Sequence, residues 1–271
     1  MHLCTFSLFT KHMKYFILKL VIKMFTDTHC HITKEDYESI SDLNENAKKN
    51  GIIKMINNGT DTKTNKEVLE IHKKFLNIYP AIGIHPEFAN TYTEDDLKYI
   101  EENIKEIVAI GEIGLDYHYD DVNKNRQISL FRTQLELAKK YNKPVIIHTR
   151  DALVDTINVL SEYSELRGVI HCFSGSYETA NIFIKMGFLL GIGGVLTFKN
   201  SKLHEVIEKI DCKNIVLETD SPFLTPEPYR GKQNEPANVI FIAKKICDIK
   251  NISLEELSKI TENNVRGLFD I

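Results

Sequence analysis

Cysteine is sparse in this chain: Cys4, Cys30, Cys172, Cys212 and Cys247 are all it has, and no two stand as a CxxC pair. An odd, scattered set excludes a disulfide framework and a thiolate zinc site, and suits a reducing cytoplasm. Excess positive charge is also missing, with 34 Lys and Arg against 38 Asp and Glu and a formal net charge of -4. No global basic field marks a nucleic-acid partner, so a polyanion would have to be held by a local patch or by metal ions. The apolar run over 15–22 is interrupted by Lys19. It is too short to span a bilayer and lacks a small-residue cleavage site, so no membrane partner is expected. Residues 1–23 read as an upstream start or a dispensable leader, with the domain proper beginning at Met24. No internal repeat, low-complexity tract or linker is found, and no GxGxxG follows the first strand-like run, which speaks against an open doubly wound dinucleotide sheet.

What the chain does have is alternation. Apolar runs at 24–28, 53–57, 81–84, 107–110, 144–148, 168–172, 188–192 and 215–218 are separated by stretches of helical period. Those stretches include 62–75, 94–104, 125–141, 152–163, 177–186 and 201–210, and two more, 239–249 and 254–269, follow a Pro-rich loop over 221–236. In 62–75, for example, Val68, Leu69, Ile71, His72 and Phe75 fall along one face. Parallel strands need crossovers, and eight βα units close most simply into a (β/α)8 TIM barrel; at 271 residues one domain over 24–271 accounts for the length.

Polar residues recur where the strands of such a barrel end. Asp27-Thr-His-Cys-His31 follows the first run, Glu112 the fourth, His148 ends the fifth, His171 lies in the sixth and Asp220 follows the eighth. Residues two apart in an extended segment share a face, so His29 and His31 can address one ion while Cys30 turns away. A lone histidine at a strand end is ordinarily a hydrogen-bonded structural side chain. The joint placement of six donors at one barrel face is what argues for a metal site. Four imidazoles and two carboxylates suit zinc, manganese, cobalt or nickel, with magnesium possible where carboxylates and water dominate. Six donors exceed the three protein ligands of one catalytic zinc, so two divalent ions are expected, with Glu112 placed to bridge them. Such a pair suits in-line displacement at phosphorus, and Asp220 is placed both to ligate and to accept the proton of an attacking water.

Around that set, four residues are candidates for holding substrate. His85, in Gly-Ile-His-Pro after the third run, faces the same mouth as a hydrogen-bonding or proton-transfer group or as a structural one. Arg150 offers a guanidinium for phosphate, or a salt bridge to Asp151. Ser174, in Ser-Gly-Ser before a helix, offers backbone amides to an anion or a plain helix cap. Arg230 with Lys232 forms a positive rim or a solvated loop. His72 and His204 fall in helical stretches and His118 in a loop, so none is assigned to metal; Cys30 and Cys172 read as small packing residues.

These motifs together resemble the TatD family of metal-dependent deoxyribonucleases, within the amidohydrolase-like barrels. The resemblance runs from Met24 to the C-terminus. It is carried by Asp27-Thr-His-Cys-His31, Gly83-Ile-His-Pro86, Gly111-Glu-Ile-Gly-Leu-Asp116, His148-Thr-Arg-Asp-Ala152, His171-Cys-Phe-Ser-Gly175, Gly193-Gly-Val-Leu-Thr-Phe198, Glu218-Thr-Asp-Ser-Pro222 and Arg230-Gly-Lys-Gln-Asn-Glu-Pro236. It implies one ion on His29, His31 and Asp220, a second on His148 and His171, and Glu112 shared. It also implies magnesium- or manganese-assisted cleavage of DNA, single-stranded or from 3′ ends, with zinc in some members, and it leaves the oligomeric state open. Two other activities fit the same barrel, an amidohydrolase-type deaminase or deacylase and a catalytically silent nucleic-acid-binding protein. Barrels of the first kind commonly bridge their ions with a carboxylated lysine where this chain offers Glu112, and the second would be expected to lack ligands.

Overall fold

A computed structural model describes residues 24–119 and 122–271. The proposed leader, 1–23, lies outside the described residues. Eight parallel strands follow one another in chain order around a single sheet: β1 (Phe25–Cys30), β2 (Ile52–Asn58), β3 (Ile78–Ile82), β4 (Ala109–Asp116), β5 (Val145–Arg150), β6 (Gly168–Ile170), β7 (Phe188–Ile192) and β8 (Ile215–Leu217). The ring is joined between its first and last members by the Asp220 N–H to His29 O bond (2.9 Å) and the His31 N–H to Ser221 O bond (2.7 Å). The fold is a single-domain (β/α)8 barrel, as the alternation predicts.

The crossovers are α1 (Ile40–Lys49), α2 (Thr62–Lys74), α3 (Glu94–Glu102), α4 (Lys124–Tyr141), α5 (Leu153–Ser161), α6 (Tyr177–Lys185) and α7 (Leu203–Lys209). Two further helices, α8 (Val239–Lys250) and α9 (Leu254–Phe269), follow the last strand. The periodic stretches named above do not include α1. Its apolar face is only Ile40, Leu43 and Ala47 among polar residues, and its buried residues are Leu43, Asn44 and Ala47. Ser39 caps it by accepting from the Asp42 N–H, and Ser253 caps α9 in the same way from Glu256.

Inside the barrel, β-alternation stacks side chains in layers. Ile56, Ala81, Ala109, Ile146, Val169 and Val216, one from each of six strands, form a buried apolar floor, closed beneath by Val265 and Phe269 of α9. Residues of the opposite parity, such as Ile82, Ile110, Val145, Ile147 and Leu217, pack outward into the larger core beneath the helices. Continuing the inward parity by two residues from Ile146, Val169 and Val216 reaches His148, His171 and Glu218. A polar ring thus stands directly on a hydrophobic floor.

On β4 the parity slips. Alternation from Ala109 would send Gly111 inward and Glu112 outward, but pairing with β5 is irregular between Ile110 and Ile113. The Glu112 N–H donates to Gly59 O, past the end of β2, at 3.2 Å, and the side chain enters the barrel. Glu112 therefore lies within β4, not after it, because the strand runs on through Gly111–Asp116. Conversely β6 stops at Ile170, and His171 begins its loop. Beyond the irregularity, Gly114 pairs with His148 at a φ of +145°, and a Cβ there would lie 2.0 Å from the His148 carbonyl oxygen. No side chain fits, and the backbone conformation is itself one that L-residues rarely adopt. Gly114→Ala is expected to lower stability by about 3 kcal/mol, measured as a shift in urea midpoint; an unchanged midpoint would show that β4 and β5 can separate freely.

Candidate metal centre

The six predicted donors converge at the C-terminal mouth of the barrel. Glu112 is central and almost fully buried. Its Oε2 lies 3.4 Å from Nε2 of both His29 and His31, while its Oε1 lies 2.8 Å from His148 Nδ1 and 3.3 Å from His171 Nε2. One carboxylate thus presents a different oxygen to each of two imidazole pairs. Asp220 completes the first side, with Oδ1 3.7 Å from His29 Nε2 and 3.5 Å from His31 Nε2. The His29 and His31 Nε2 atoms face each other at 3.1 Å. Donor atoms of His29, His31 and Asp220 all lie within 4.8 Å of one another, as do those of His29, Glu112 and His171 and those of His85, Asp116 and His148.

Several imidazoles are oriented from behind. His31 Nδ1 lies 2.9 Å from Asn58 O, to which it can donate, leaving Nε2 free to face Glu112 and Asp220. His171 Nδ1 lies 3.3 Å from Oε1 of Glu218, a wholly buried carboxylate that also accepts the Cys172 N–H at 2.6 Å. Gly191 makes room for it, since a Cβ there would stand 2.1 Å from Glu218 Oε2. His29 Nδ1 and Glu218 Oε2 are buried with no hydrogen-bond partner among the described residues, and His171 Nδ1 has the 3.3 Å ion-pair contact with Glu218 but no hydrogen bond. Buried polar atoms ordinarily have partners. On the inner side, Nε2 of His29, His31 and His171, Nδ1 of His148 and the oxygens of Glu112 and Asp220 converge, and imidazole nitrogens with carboxylate oxygens are the donor set that a borderline-hard divalent cation takes.

Backbone at the mouth is strained where it delivers these groups. Asp220 (φ 56°), Cys172 (φ 48°) and Asp151 (φ 52°) sit in the left-handed region, which costs a non-glycine residue energy and is tolerated where the surroundings hold it. Asp220 is held by its own N–H on His29 O and by the Phe223 N–H on its carbonyl at 2.8 Å. Beneath it, the buried Asp27 accepts from the Thr219 hydroxyl at 2.6 Å and from the Thr219 and His29 N–H groups, tying β1 to the segment that carries Asp220. Burial pushes the Asp27 carboxyl well up, marking it as structural rather than as an ionised ligand.

Electrostatics differ from ring to ring. Burial first, and then the neighbouring His171 and His31, lower His29 against the opposing pull of Glu112. Burial also opposes charge on His171, but Glu112 and Glu218 override it and raise that ring to about 10. His31 and His148 are likewise raised against burial, the first by Asp220 and Glu112 and the second by Asp116 and Glu112. Glu112 is held well below the usual carboxylate range despite burial, by His171 and His29, and Asp220 is lowered against burial by His31 and His171.

A cavity of about 540 Å³ opens over this centre, and His85 and Arg150 line it as the sequence suggests. His85 Nε2 is 3.8 Å from Glu112 Oε1, and its Nδ1 faces the Glu87 N–H at 3.3 Å. Arg150 does not pair with Asp151, which instead takes His118 at 3.0 Å; its guanidinium lies 5.9 Å from the Tyr119 ring. Ser174 and Arg230 are not among the lining residues. Ser174 borders a separate surface hollow, where the Ser176 side chain caps α6 by accepting the Thr179 N–H, the cap alternative named above. Arg230 sits over Phe198 with its guanidinium carbon 3.8 Å from the ring centre, a cation on an aromatic face. His72 and His204 turn Nδ1 to the backbone carbonyls of Ile78 and Ser201, consistent with their exclusion. Cys30 is fully buried, its thiol against Ile56 O, as a packing residue would be. Residue-by-residue reading did not pick out Asn58, Asp116, Glu218, Tyr119 or Phe223. Asp116 and Glu218 lie inside the motifs already quoted, at two-residue steps beyond Gly114 and before Asp220, and that parity is the signal that identifies them.

Comparison with known proteins agrees with this geometry. The family model described as TatD related DNase matches residues 26–270. A Bacillus subtilis protein described as the uncharacterized metal-dependent hydrolase YabD is 42% identical over 254 residues, covering 92% of this chain and all of that one. The crystal structure of YjjV, a TatD homologue from Escherichia coli K12, superposes with a TM-score of 0.86 at 30% identity, over 93% of this chain and 100% of that one. A TatD-family hydrolase from Entamoeba histolytica gives 0.79 at 27% identity, over 91% and 98%. The chain belongs to the TatD family.

Proposed function

We propose that this protein is a binuclear metal-dependent hydrolase that cleaves DNA phosphodiester bonds, acting on single strands or 3′ ends. The observation that carries the proposal is the division of the Glu112 carboxylate, one oxygen toward His29 and His31 and the other toward His148 and His171. His29, His31 and Asp220 would hold one ion and His148 and His171 the other, with Glu112 between. Magnesium, manganese, zinc, cobalt or nickel all fall within reach of this donor set. When bound, such a pair supplies a water of lowered pKa and positive charge for the oxygens of a displacement at phosphorus.

The chain's own groups do the rest. Asp220, ionised and at the mouth, accepts the proton of the attacking water. His85 directs Nε2 into the cavity beside Glu112, placed to donate to a phosphate oxygen or the leaving oxygen. Arg150 brings a guanidinium to the rim, where it suits the next phosphate along a strand. Two cavity-lining aromatics, Tyr119 and Phe223, are 58% and 60% exposed, and Phe223 stands 6.3 Å from the His31 ring. Exposed aromatic faces beside a phosphate site suit stacking of unpaired bases, which supports single-stranded substrate. With a net charge of -4 the strand would be drawn by the ions and Arg150, not by a basic surface.

Protein stripped by chelator and restored with Mg, Mn, Co or Zn is expected to regain cleavage of single-stranded DNA in a gel assay; inactivity with every metal would remove the nuclease reading. Glu112→Ala should lower turnover by about three orders of magnitude, equivalent to about 4 kcal/mol of barrier. Wild-type turnover in that variant would dismiss the bridge.

A pH dependence follows from the raised rings. In the metal-free protein His171, His31 and His148 have folded pKa values above the unfolded value of about 6.5. Their stabilising contribution is therefore complete below about 6.5 and is lost as pH rises toward the about 10 of His171. Metal requires the unprotonated nitrogen, so its affinity should strengthen over the same window with release of protons. Calorimetric titration in buffers of different ionisation enthalpy reads this directly, and a pH-independent affinity without proton release would contradict it.

A further inference from the structure

We infer that Asp116, which neither the ligand set nor the substrate candidates include, is a positioning residue that decides which nitrogen of His148 faces the metal centre. The inference rests on the binuclear reading above and assigns a group to it that the six-donor pattern leaves out. His148 is gripped at both ends: Nδ1 lies 2.8 Å from Glu112 Oε1, on the side of the centre, and Nε2 lies 3.1 Å from Asp116 Oδ2, on the side away from it. A carboxylate is an acceptor only, so in the metal-free ring both contacts call for a proton; once an ion takes the place of the proton on Nδ1, the Asp116 contact keeps the one on Nε2. A neutral ring with its proton on Nε2 carries its lone pair on Nδ1, turned toward Glu112 and the ion.

Asp116 is itself held in place, which is what such a role needs. It is 5% exposed; its Oδ1 accepts the His118 N–H at 2.9 Å, and its own N–H donates to Oε1 of the buried Gln127 of α4 at 2.9 Å. The carboxylate therefore has one oxygen committed to the backbone and the other left for His148. His31 is braced from behind in the same sense by Asn58 O, and His171 Nδ1 lies in ion-pair contact with Glu218 at 3.3 Å. Outer partners of this kind fix ring orientation and raise ligand basicity.

The competing reading of the same atoms is a third ion among His85, Asp116 and His148, whose donor atoms lie within 4.8 Å of one another. Chemistry weighs against it. With Nδ1 given to the second ion, a bond from Nε2 to a third would require removal of the remaining ring proton to leave an imidazolate, whereas a hydrogen bond to Asp116 keeps that proton.

The test uses the full chain loaded with zinc, graded chelator, and elemental analysis of the ions retained. Asp116→Ala should weaken retention of one of two ions by about 10- to 100-fold and leave the other unchanged. Asp116→Asn, whose side-chain oxygen still accepts from Nε2–H, should recover most of that loss. Nitrogen-15 NMR of the zinc-loaded wild type should find His148 metallated at Nδ1 with a slowly exchanging proton on Nε2, a readout that needs no substitution. Metal on Nε2 with the proton on Nδ1, equal retention of both ions in Asp116→Ala, or a third ion lost alone in that variant would each overturn the inference. If wild type holds fewer than two ions, or His148→Ala keeps both, it is the binuclear reading that fails.

Discussion

Everything at the mouth of this barrel is arranged around one carboxylate that is shared. Glu112 stands almost without solvent among His29, His31, His148 and His171, and each of its oxygens is committed to a different pair. A buried carboxylate is costly unless opposite charge is close on every side. In the metal-free protein that charge comes from protonated imidazoles, chiefly His171. Bound ions would supply that charge instead, and the rings would then give up their protons. On the proposed reading the same geometry would serve two electrostatic states, and exchange of protons for metal would couple the centre to pH.

Support for the centre comes from the barrel's layered interior. The apolar floor of Ile56, Ala81, Ala109, Ile146, Val169 and Val216 sets the depth at which the next inward residues emerge, among them His148, His171 and Glu218. Rigid strands hold His148 and Glu112, while the left-handed turn at Asp220 swings a loop carboxylate over the first pair. Asp27, buried and bonded to Thr219, couples that turn to β1. Substrate-facing groups such as Arg150, Tyr119 and Phe223 sit farther out, where exposure leaves them free to adapt.

The fold was legible because alternation of apolar runs and helical periods is a repeated signal, and the barrel needs only that repetition. The six donors were legible because histidine and carboxylate at successive strand ends have no common structural reason to coincide. Glu112 lies within its strand and not after it, because the slip between Ile110 and Ile113 breaks the parity on which sequence counting relies. Helix α1 is faint in the sequence because three apolar residues in ten make a weak stripe. Ser174 and Arg230 were read from chemistry alone, and chemistry does not say that a guanidinium will settle on Phe198 or that a serine will face a different hollow. Asp116 and Glu218 were inside recognised motifs, yet their work depends on which ring nitrogen they meet, a matter of three-dimensional register.

A direct test of the shared carboxylate is electron paramagnetic resonance of the fully manganese-loaded protein. Two ions joined through Glu112 are expected to give an exchange-coupled spectrum. The simple hyperfine pattern of isolated manganese at full loading would contradict the bridge and, with it, the account of the centre.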